Sequence, residues 1–311
     1  MRRLIVYGLM IFTGGCNSGM PRFDGDNAYQ YLIEQCSFGP RNPGSDGHSA
    51  CRDFIIERLK IFSDEVLLQE FSFQNKVEDK FYTGTNIIAR FNRSSSFQSL
   101  IGAHWDTRPW ADQDDNIANR GKPIIGANDG ASGVAVMLEL ASIMAKNPPP
   151  IGVNLVFFDA EDSGDPGLNE TYCQGSMYFA KHIPIPLPDE GIILDMVGDK
   201  QLSLPIERYS FKYNENLVRR LWDQARELGL DAFKDYVAHA IYDDHVPLNE
   251  YAGISTIDII DFEYPNSYTN FWHTLNDVPE NCSAESLQQV GILITDYIYN
   301  HTHSGGKING I

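Results

Sequence analysis

Apolar and polar residues alternate along the chain in two recurring patterns. The first is an apolar run that ends in acids, as at 152–162 (GVNLVFFDAED), where three acids follow the apolar residues. Such a run, flanked by Pro and Gly, is typical of a strand buried on both faces. The second is the recurrence of apolar residues near the helical period, as Phe54, Ile55, Leu59 and Ile61 do. The two patterns predict strands and helices, respectively.

The predicted strands and helices alternate, with short connections and no internal repeat. Strands are expected at 65–73, 86–91, 99–105, 152–158, 191–197 and 254–262, and helices at 27–36, 48–62, 128–146, 174–182, 215–228 and 283–299. Charge density and Pro predict a loop at 243–247. The pattern favours a single α/β domain with a mixed, mostly parallel central sheet and helices on both faces.

The first residues resemble an export signal. Arg2 and Arg3 precede the apolar run 4–12, and small residues then lead to Cys16. The apolar run is too short for a permanent membrane span. Cys16 resembles the lipidated Cys of a bacterial lipobox, although Thr13 stands where an aliphatic residue is usual. We predict a lipoprotein-type signal peptide at 1–15, a tether at 16–24 and a catalytic domain at 25–311.

Export would place the protein in the periplasm or at the outer membrane, with Cys16 as its lipid anchor and only contact with the membrane. Simple cleavage of the signal, or cleavage further downstream, is the alternative. Cys36, Cys51, Cys173 and Cys282 remain, and they allow three disulfide pairings or four free thiols. None lies in a close Cys-x-x-Cys pair, so a thiolate zinc cluster is not expected.

The protein is strongly acidic. Its 42 Asp and Glu residues outnumber 24 Lys and Arg residues, which gives a formal net charge of −18. Such a surface repels the phosphate backbone of nucleic acids, so we expect no nucleic-acid partner. A metal ion or a cationic or neutral ligand suits it better.

Polar side chains recur where the predicted strands end or in the loops that follow. These residues are His104, Asp129, Glu161, Asp162, Asp195, Asp244 and His273. Each has an ordinary explanation alone: Asp129 could cap a helix, and a His at a strand end is more often a structural residue. Together, however, they would repel one another at one edge of the sheet unless a cation bound them. Zinc takes His nitrogen and carboxylate oxygen ligands, and it fits this group.

At these positions the sequence resembles the zinc aminopeptidase family and, within it, the glutaminyl-peptide cyclotransferases (glutaminyl cyclases). The matching segments are HWDTR at 104–108, NDGASG at 128–133, FFDAED at 157–162, LDMVGD at 194–199, DDHVP at 243–247 and FWHT at 271–274. Their order and spacing cover most of the chain beyond residue 39. One such segment is weak evidence, whereas six in order are specific.

The resemblance implies one zinc ion per chain, held by Asp129, Asp162 and His273 with a fourth position open to water or substrate. It implies that Glu161 is the general acid and base. Asp195 and Asp244 match the further acids of the cyclase network. Trp272 would form a wall of the substrate pocket.

The reaction implied is the conversion of an N-terminal Gln of peptides or proteins to pyroglutamate, with release of ammonia. Two features depart from the animal cyclases. Asp162 stands where those enzymes have Glu, and the loop at 163–171 contains no Trp. The bacterial branch is therefore the nearer comparison. We expect a monomer, although nothing in the sequence fixes the oligomeric state.

Two other functions are compatible with parts of this pattern. In a two-zinc aminopeptidase of the same fold, His104 and Asp195 would bind a second metal and Asp129 would bridge the two ions. Trp272 next to His273 and the DDH run at 243–245 favour the cyclase instead. A surface lipoprotein that keeps the fold only for binding would be expected to have lost one of the three zinc ligands, and none is lost here.

Overall fold

A six-stranded sheet forms the centre of the protein in the computed structural model, which describes residues 19–301. Its strands are β1 (Glu65–Asn75), β2 (Lys80–Phe91), β3 (Gln98–His104), β4 (Gly152–Phe158), β5 (Glu190–Asp195) and β8 (Thr256–Ile260), in the order β1-β2-β4-β3-β5-β8. Strands β4, β3, β5 and β8 run parallel, and β2 joins β4 and β1 in antiparallel pairing. This confirms the predicted mixed, mostly parallel sheet.

Helices cover both faces of this sheet, as predicted. They are α1 (Gly25–Ser37), α2 (Asp46–Phe62), α3 (Ala131–Lys146), α4 (Gln174–Lys181), α5 (Arg208–Glu227), the one-turn α6 (His245–Pro247) and α7 (Ala284–Tyr299). The larger core lies between the sheet and helices α1, α2, α3, α5 and α7. The smaller core lies on the opposite face, where Phe158 and Phe179 pack at 5.7 Å between ring centroids. Strands β3 and β4 are buried along their whole length, which is why they are continuously apolar.

Helix α3 packs unusually close to the sheet because of Gly133. A Cβ atom built there would lie 2.1 Å from the carbonyl oxygen of Leu194 on β5 and 2.9 Å from Cβ of Ala103 on β3. Only glycine permits this approach. The cap position before the helix is Gly130, at φ +98°, and it makes no side-chain capping bond. Asp129 is therefore not the helix cap, which leaves its carboxylate available for another role.

Several elements differ from the predictions. Helix α5 begins at Arg208 rather than near 215, because the Glu207 side chain accepts the backbone N–H groups of Tyr209 and Ser210. Its backbone is non-helical at Asn214. The helical period of apolar residues is interrupted there, so the first half of the helix was not predicted. The loop predicted at 243–247 is largely α6, which continues into a π-turn at Leu248–Ala252. Two small pairs were not predicted: β6 (Leu204–Ile206) with β7 (Phe233–Val237), and β9 (Pro265–Asn266) with β10 (Thr269–Asn270).

The four cysteines within residues 19–301 are free and buried: Cys36, Cys51, Cys173 and Cys282. Of the two alternatives left open by the sequence, disulfides or free thiols, the structure therefore has free thiols. The predicted signal peptide and Cys16 lie outside the described residues. Between residues 19 and 301, no helix combines the length and the hydrophobicity that a membrane crossing would require.

Candidate metal and acid site

A cleft of about 370 Å³ opens at the carboxyl ends of β3, β4, β5 and β8. Ligands bind at this edge of open α/β sheets, because the loops that follow the strands meet there. Acidic and aromatic side chains line the cleft, among them Asp129, Glu161, Asp162, Asp195, Asp243, Trp272 and His273. Of the predicted site residues, His104 and Asp244 are buried and do not line the cleft.

Asp129, Asp162 and His273 come together on one side of the cleft. One ligand atom from each lies within 4.8 Å of the other two. Nε2 of His273 is 2.9 Å from Oδ1 of Asp162 and 3.6 Å from Oδ2 of Asp129. All three residues are buried, and Oδ2 of Asp129 and Oδ2 of Asp162 make no hydrogen bond. Buried carboxylate oxygens without partners are costly unless a cation binds them.

Two charged residues that were not predicted from the sequence, Asp112 and Arg108, hold His273 and Asp162 in place. Oδ1 of Asp112 lies 3.3 Å from Nδ1 of His273. Arg108 donates from Nε to Asp112 at 3.1 Å, and from Nη1 to the backbone carbonyl of Asp162 at 2.9 Å and that of Gly164 at 2.8 Å. Asp112 thus orients the ring of His273, a common arrangement behind a metal-binding His.

Ionic neighbours also shift the pKa of His273 and Asp112. Burial lowers the pKa of His273, but the carboxylates of Asp162 and Asp112 outweigh it and raise this pKa to about 9. Burial raises the pKa of Asp112, but His273 and Arg108 outweigh it and hold this pKa well below its usual range. Asp112 is therefore ionised at neutral pH and can accept a hydrogen bond from Nδ1–H of His273, so that Nε2 is the nitrogen that faces Asp129 and Asp162.

His104 lies on the other side of Asp129. Its Nε2 is 3.1 Å from Oδ1 of Asp129 and 3.2 Å from Oδ1 of Asp195, and its Nδ1 is 3.4 Å from Oδ1 of Asp106. The two oxygens of Asp129 therefore face different histidines, Oδ1 towards His104 and Oδ2 towards His273. This is the bridging position that a two-metal site would require, and His104, Asp129 and Asp195 also have ligand atoms within 4.8 Å of one another.

Glu161 stands beside the first cluster as a separate acid. The backbone N–H groups of Glu161 and Asp162 donate to the two oxygens of Asp106, which fixes the turn after β4. Ala160 adopts φ +57° within this turn. The side chain of Glu161 points elsewhere, and Oε1 accepts a hydrogen bond from Sγ of Cys173 at 3.4 Å. The turn thus directs two consecutive acids to different neighbours.

Burial and crowding of acids favour the protonated forms in the cleft. Burial raises the pKa of Glu161 well above its ordinary value, and the charges of Asp162 and Asp243 add to this while His104 opposes it. Burial raises the pKa of Asp195 as well. The pKa of Asp243 rises to about 6, because of burial first and the charge of Asp195 second. A carboxyl with a raised pKa can exchange protons near neutral pH.

Asp243, rather than the predicted Asp244, occupies the cleft at the DDH run. Asp243 lines the cleft, and its ligand atom lies within 4.8 Å of those of Glu161 and Cys173. Asp244 is fully buried behind it, where burial and the charge of Asp243 raise its pKa well above the ordinary value. Two adjacent Asp residues at the start of a helical turn point in different directions, so sequence alone does not separate them.

Trp272 lines the cleft next to His273. Its ring stacks on His273 at 3.7 Å between centroids and contacts Phe262 at 5.1 Å. His273 has φ +55°, which lets consecutive aromatic rings stack on each other. Trp272 therefore forms part of the cleft wall and also restrains the imidazole of His273.

The chain belongs to peptidase family M28, whose profile matches residues 86–298. Its structure is similar to that of the glutaminyl cyclase of Tannerella forsythia, with 37% identity, a TM-score of 0.87 and coverage of 91% of this chain and 100% of the other. It is equally similar to a Zn-dependent exopeptidase from Parabacteroides distasonis, with 35% identity, a TM-score of 0.87 and the same coverage. The glutaminyl-peptide cyclotransferase of Gloydius blomhoffii is 25% identical over 298 residues, which cover 85% of this chain and 78% of that protein.

Proposed function

We propose that this protein is a zinc-dependent glutaminyl-peptide cyclotransferase that converts the N-terminal Gln of peptides or proteins to pyroglutamate and releases ammonia. The observation that carries the proposal is the separation of roles at the end of β4. Asp162 faces Asp129 and His273, while adjacent Glu161 faces the cleft and Cys173. The similarity to bacterial glutaminyl cyclases over 91% of the chain supports it.

The residues present fit one zinc ion per chain. Asp129, Asp162 and His273 offer two oxygen ligands and one nitrogen ligand, and their unpaired buried oxygens are explained if a cation binds there. Three protein ligands leave one position open, as in catalytic zinc sites. When bound, zinc would act as a Lewis acid that polarises the side-chain amide carbonyl of the substrate Gln.

Glu161 would perform the proton transfers. The free α-amine attacks the side-chain amide carbon of Gln, which forms the new C–N bond of the five-membered lactam. Glu161 accepts a proton from this nitrogen and delivers it to the amide nitrogen that departs as ammonia when the old C–N bond breaks. Its raised pKa suits both steps, because a base and an acid in one cycle work best when the pKa is near the working pH.

Asp195 and Asp243 would stabilise the positive charge that develops on the attacking and departing nitrogens. Both acids line the cleft, and Asp243 lies within 4.8 Å of Glu161 by its ligand atom. The sequence pointed to Asp244 for this role, and its position behind the wall favours Asp243. Asp243→Asn and Asp244→Asn separate the two assignments: the former should lower kcat by about 10²-fold or more. A larger loss of kcat in Asp244→Asn would return the role to Asp244.

The second candidate is a two-zinc aminopeptidase, which the position of Asp129 between His104 and His273 favours. Two measurements separate the functions. The cyclase requires one zinc per chain and releases ammonia from a Gln-Ala peptide. The aminopeptidase requires two and releases Leu from a Leu-Ala peptide. Chelation should abolish ammonia release, and added zinc should restore it. Leu release without ammonia release would overturn the cyclase proposal.

We also propose export and lipid anchoring through Cys16, and a monomer as the working unit. The signal-like pattern at 1–15 supports export and anchoring. Labelling of growing cells with a fatty-acid analogue should mark the wild-type protein and leave Cys16→Ser unmarked. Sedimentation equilibrium of the mature domain should give one chain per particle, and a concentration-dependent rise in mass would contradict the monomer.

A further inference from the structure

A second cavity, of about 260 Å³, lies directly beside the cleft. Three residues, Ile241, Ile260 and Phe262, line both spaces and form the ridge between them. The far wall comes from the small β6–β7 sheet through Pro205 and Tyr236, and from Ala238, which follows β7. Anything that leaves the cleft across this ridge enters the second cavity.

The two buried acids in this cavity, Glu207 and Asp261, are already occupied by backbone donors, and the exposed carboxylate of Glu263 lies 3.6 Å from Nε2 of His239. Buried Glu207 accepts the N–H groups of Tyr209, Ser210 and Ile241. Buried Asp261 accepts the N–H groups of Ser203 and Glu263. Their oxygens are thus satisfied within the protein, so they offer little to a cationic ligand.

The surface left for a ligand is mainly apolar and aromatic. Ile241, Phe262 and Tyr236 are only partly buried, and Tyr236 is 56% exposed. The ridge is also held firmly, because Phe262 packs against Trp272, which stacks on His273. A firm apolar wall with an open mouth is typical of a pocket that receives one side chain.

We infer that this second cavity binds the apolar side chain of the residue that follows the N-terminal Gln, so that peptides with a large aliphatic or aromatic second residue are preferred. The inference rests on the proposed function. Glu161 and the three ridge residues line the same cleft, and successive Cα atoms of a peptide are about 3.8 Å apart. The ridge therefore lies within reach of the next residue.

The preference is tested with peptides Gln-X-Ala-amide in which X is Phe, Leu, Lys, Glu or Gly. Burial of a large apolar side chain predicts that kcat/KM for Phe or Leu exceeds that for Gly by about tenfold or more. Lys should gain no such advantage, because the buried acids of the cavity are occupied and Glu263 is exposed to solvent, where an ion pair contributes little. A flat series, or a preference for Lys over Phe, would overturn the inference.

Two variants test whether the cavity causes the preference for a large apolar second residue. Ala238→Trp fills it, and Ala118→Trp, on an exposed turn away from it, is the matched control. The ratio of kcat/KM for Phe over Gly should fall towards one in Ala238→Trp and stay at the wild-type value in Ala118→Trp. Should Ala238→Trp fail to fold, Tyr236→Ser removes the exposed wall and should also reduce the ratio. An unchanged ratio in a folded cavity variant contradicts the inference.

The cavity inference can be tested even if the proposed cyclase function is wrong. If no peptide releases ammonia, the cyclase proposal is wrong, and the cavity is still tested by calorimetric binding of the same peptides. Tighter binding of the Phe peptide than of the Gly peptide by wild type, lost in Ala238→Trp, supports the cavity. Equal binding of the two peptides by wild type refutes it.

Discussion

Replacement of Glu161 by Gln is the most direct test of the proposal that Glu161 transfers protons while the adjacent Asp162 binds the metal. The amide has the shape of the carboxyl group and can still accept the hydrogen bond from Sγ of Cys173. The backbone N–H of residue 161 keeps its bond to Asp106, which is 3.0 Å long, so the turn and the adjacent Asp162 should keep their positions. The variant removes proton exchange and little else.

General acid–base catalysis contributes about 10²–10⁴ in rate, so kcat should fall by that factor, equivalent to about 3–5 kcal/mol in the barrier. Ammonia release from a Gln-Ala peptide measures kcat, and mass spectrometry of the intact protein under native conditions measures bound zinc. The zinc content should equal that of wild type. The thermal midpoint should remain close to that of wild type, because no core contact is lost.

Glu170→Gln is the matched control, because Glu170 is an exposed acid of the same loop that lines neither cavity. It should retain wild-type kcat. A Glu161→Gln enzyme within threefold of wild-type kcat would remove Glu161 from the mechanism. Loss of zinc from Glu161→Gln would instead make Glu161 a metal ligand, which also contradicts the assignment.

Three further predictions concern the support of the site, the packing and the pH dependence. Asp112→Asn should weaken zinc binding about 10–100-fold in chelator competition, whereas exposed Asp115→Asn should not; equal affinities would contradict the role of Asp112. Gly133→Ala should lower the free energy of unfolding, measured by urea denaturation, by about 1–3 kcal/mol, because the added Cβ meets the carbonyl oxygen of Leu194. The control Gly121→Ala should leave this free energy nearly unchanged, because no atom lies within 4 Å of its added Cβ. Burial raises the pKa of Asp261 to about 7. Between pH 4 and 7 the native state therefore holds a proton that the unfolded chain has lost, and wild-type stability should fall with rising pH relative to Asp261→Asn in thermal melts. Parallel curves would refute this shift.

The parallel part of the sheet was predictable because β3, β4, β5 and β8 are buried along almost their whole length. The run at 152–158 is buried at every position, so its uninterrupted hydrophobicity specified a central strand. The smaller pair β6–β7 was missed because β7 is largely exposed and only five residues long, with no alternation to detect. Helix α5 was shortened in the prediction because local hydrogen bonds at Glu207 and Asn214, rather than periodicity, set its first half.

The sequence also indicated which residues would meet, but less well how each would be oriented. Asp129, Asp162 and His273 converge as expected, because motifs at strand ends share one edge of the sheet. Asp243 and Asp244 could not be separated, since neighbours on a tight turn diverge in space by tertiary packing alone. Asp112 lies in an irregular loop rich in Asp and Asn, where no periodic pattern distinguishes one carboxylate from another. Its contact with His273 spans about 160 residues and is a product of the fold.

The four buried thiols have a consequence for how the protein is made. Since no disulfide cross-links residues 19–301, the native state needs no oxidant and no disulfide isomerase to reach it. The same fold should form in a reducing cell interior and in an oxidising compartment. Recombinant production inside ordinary bacterial cells should therefore yield the folded catalytic domain directly.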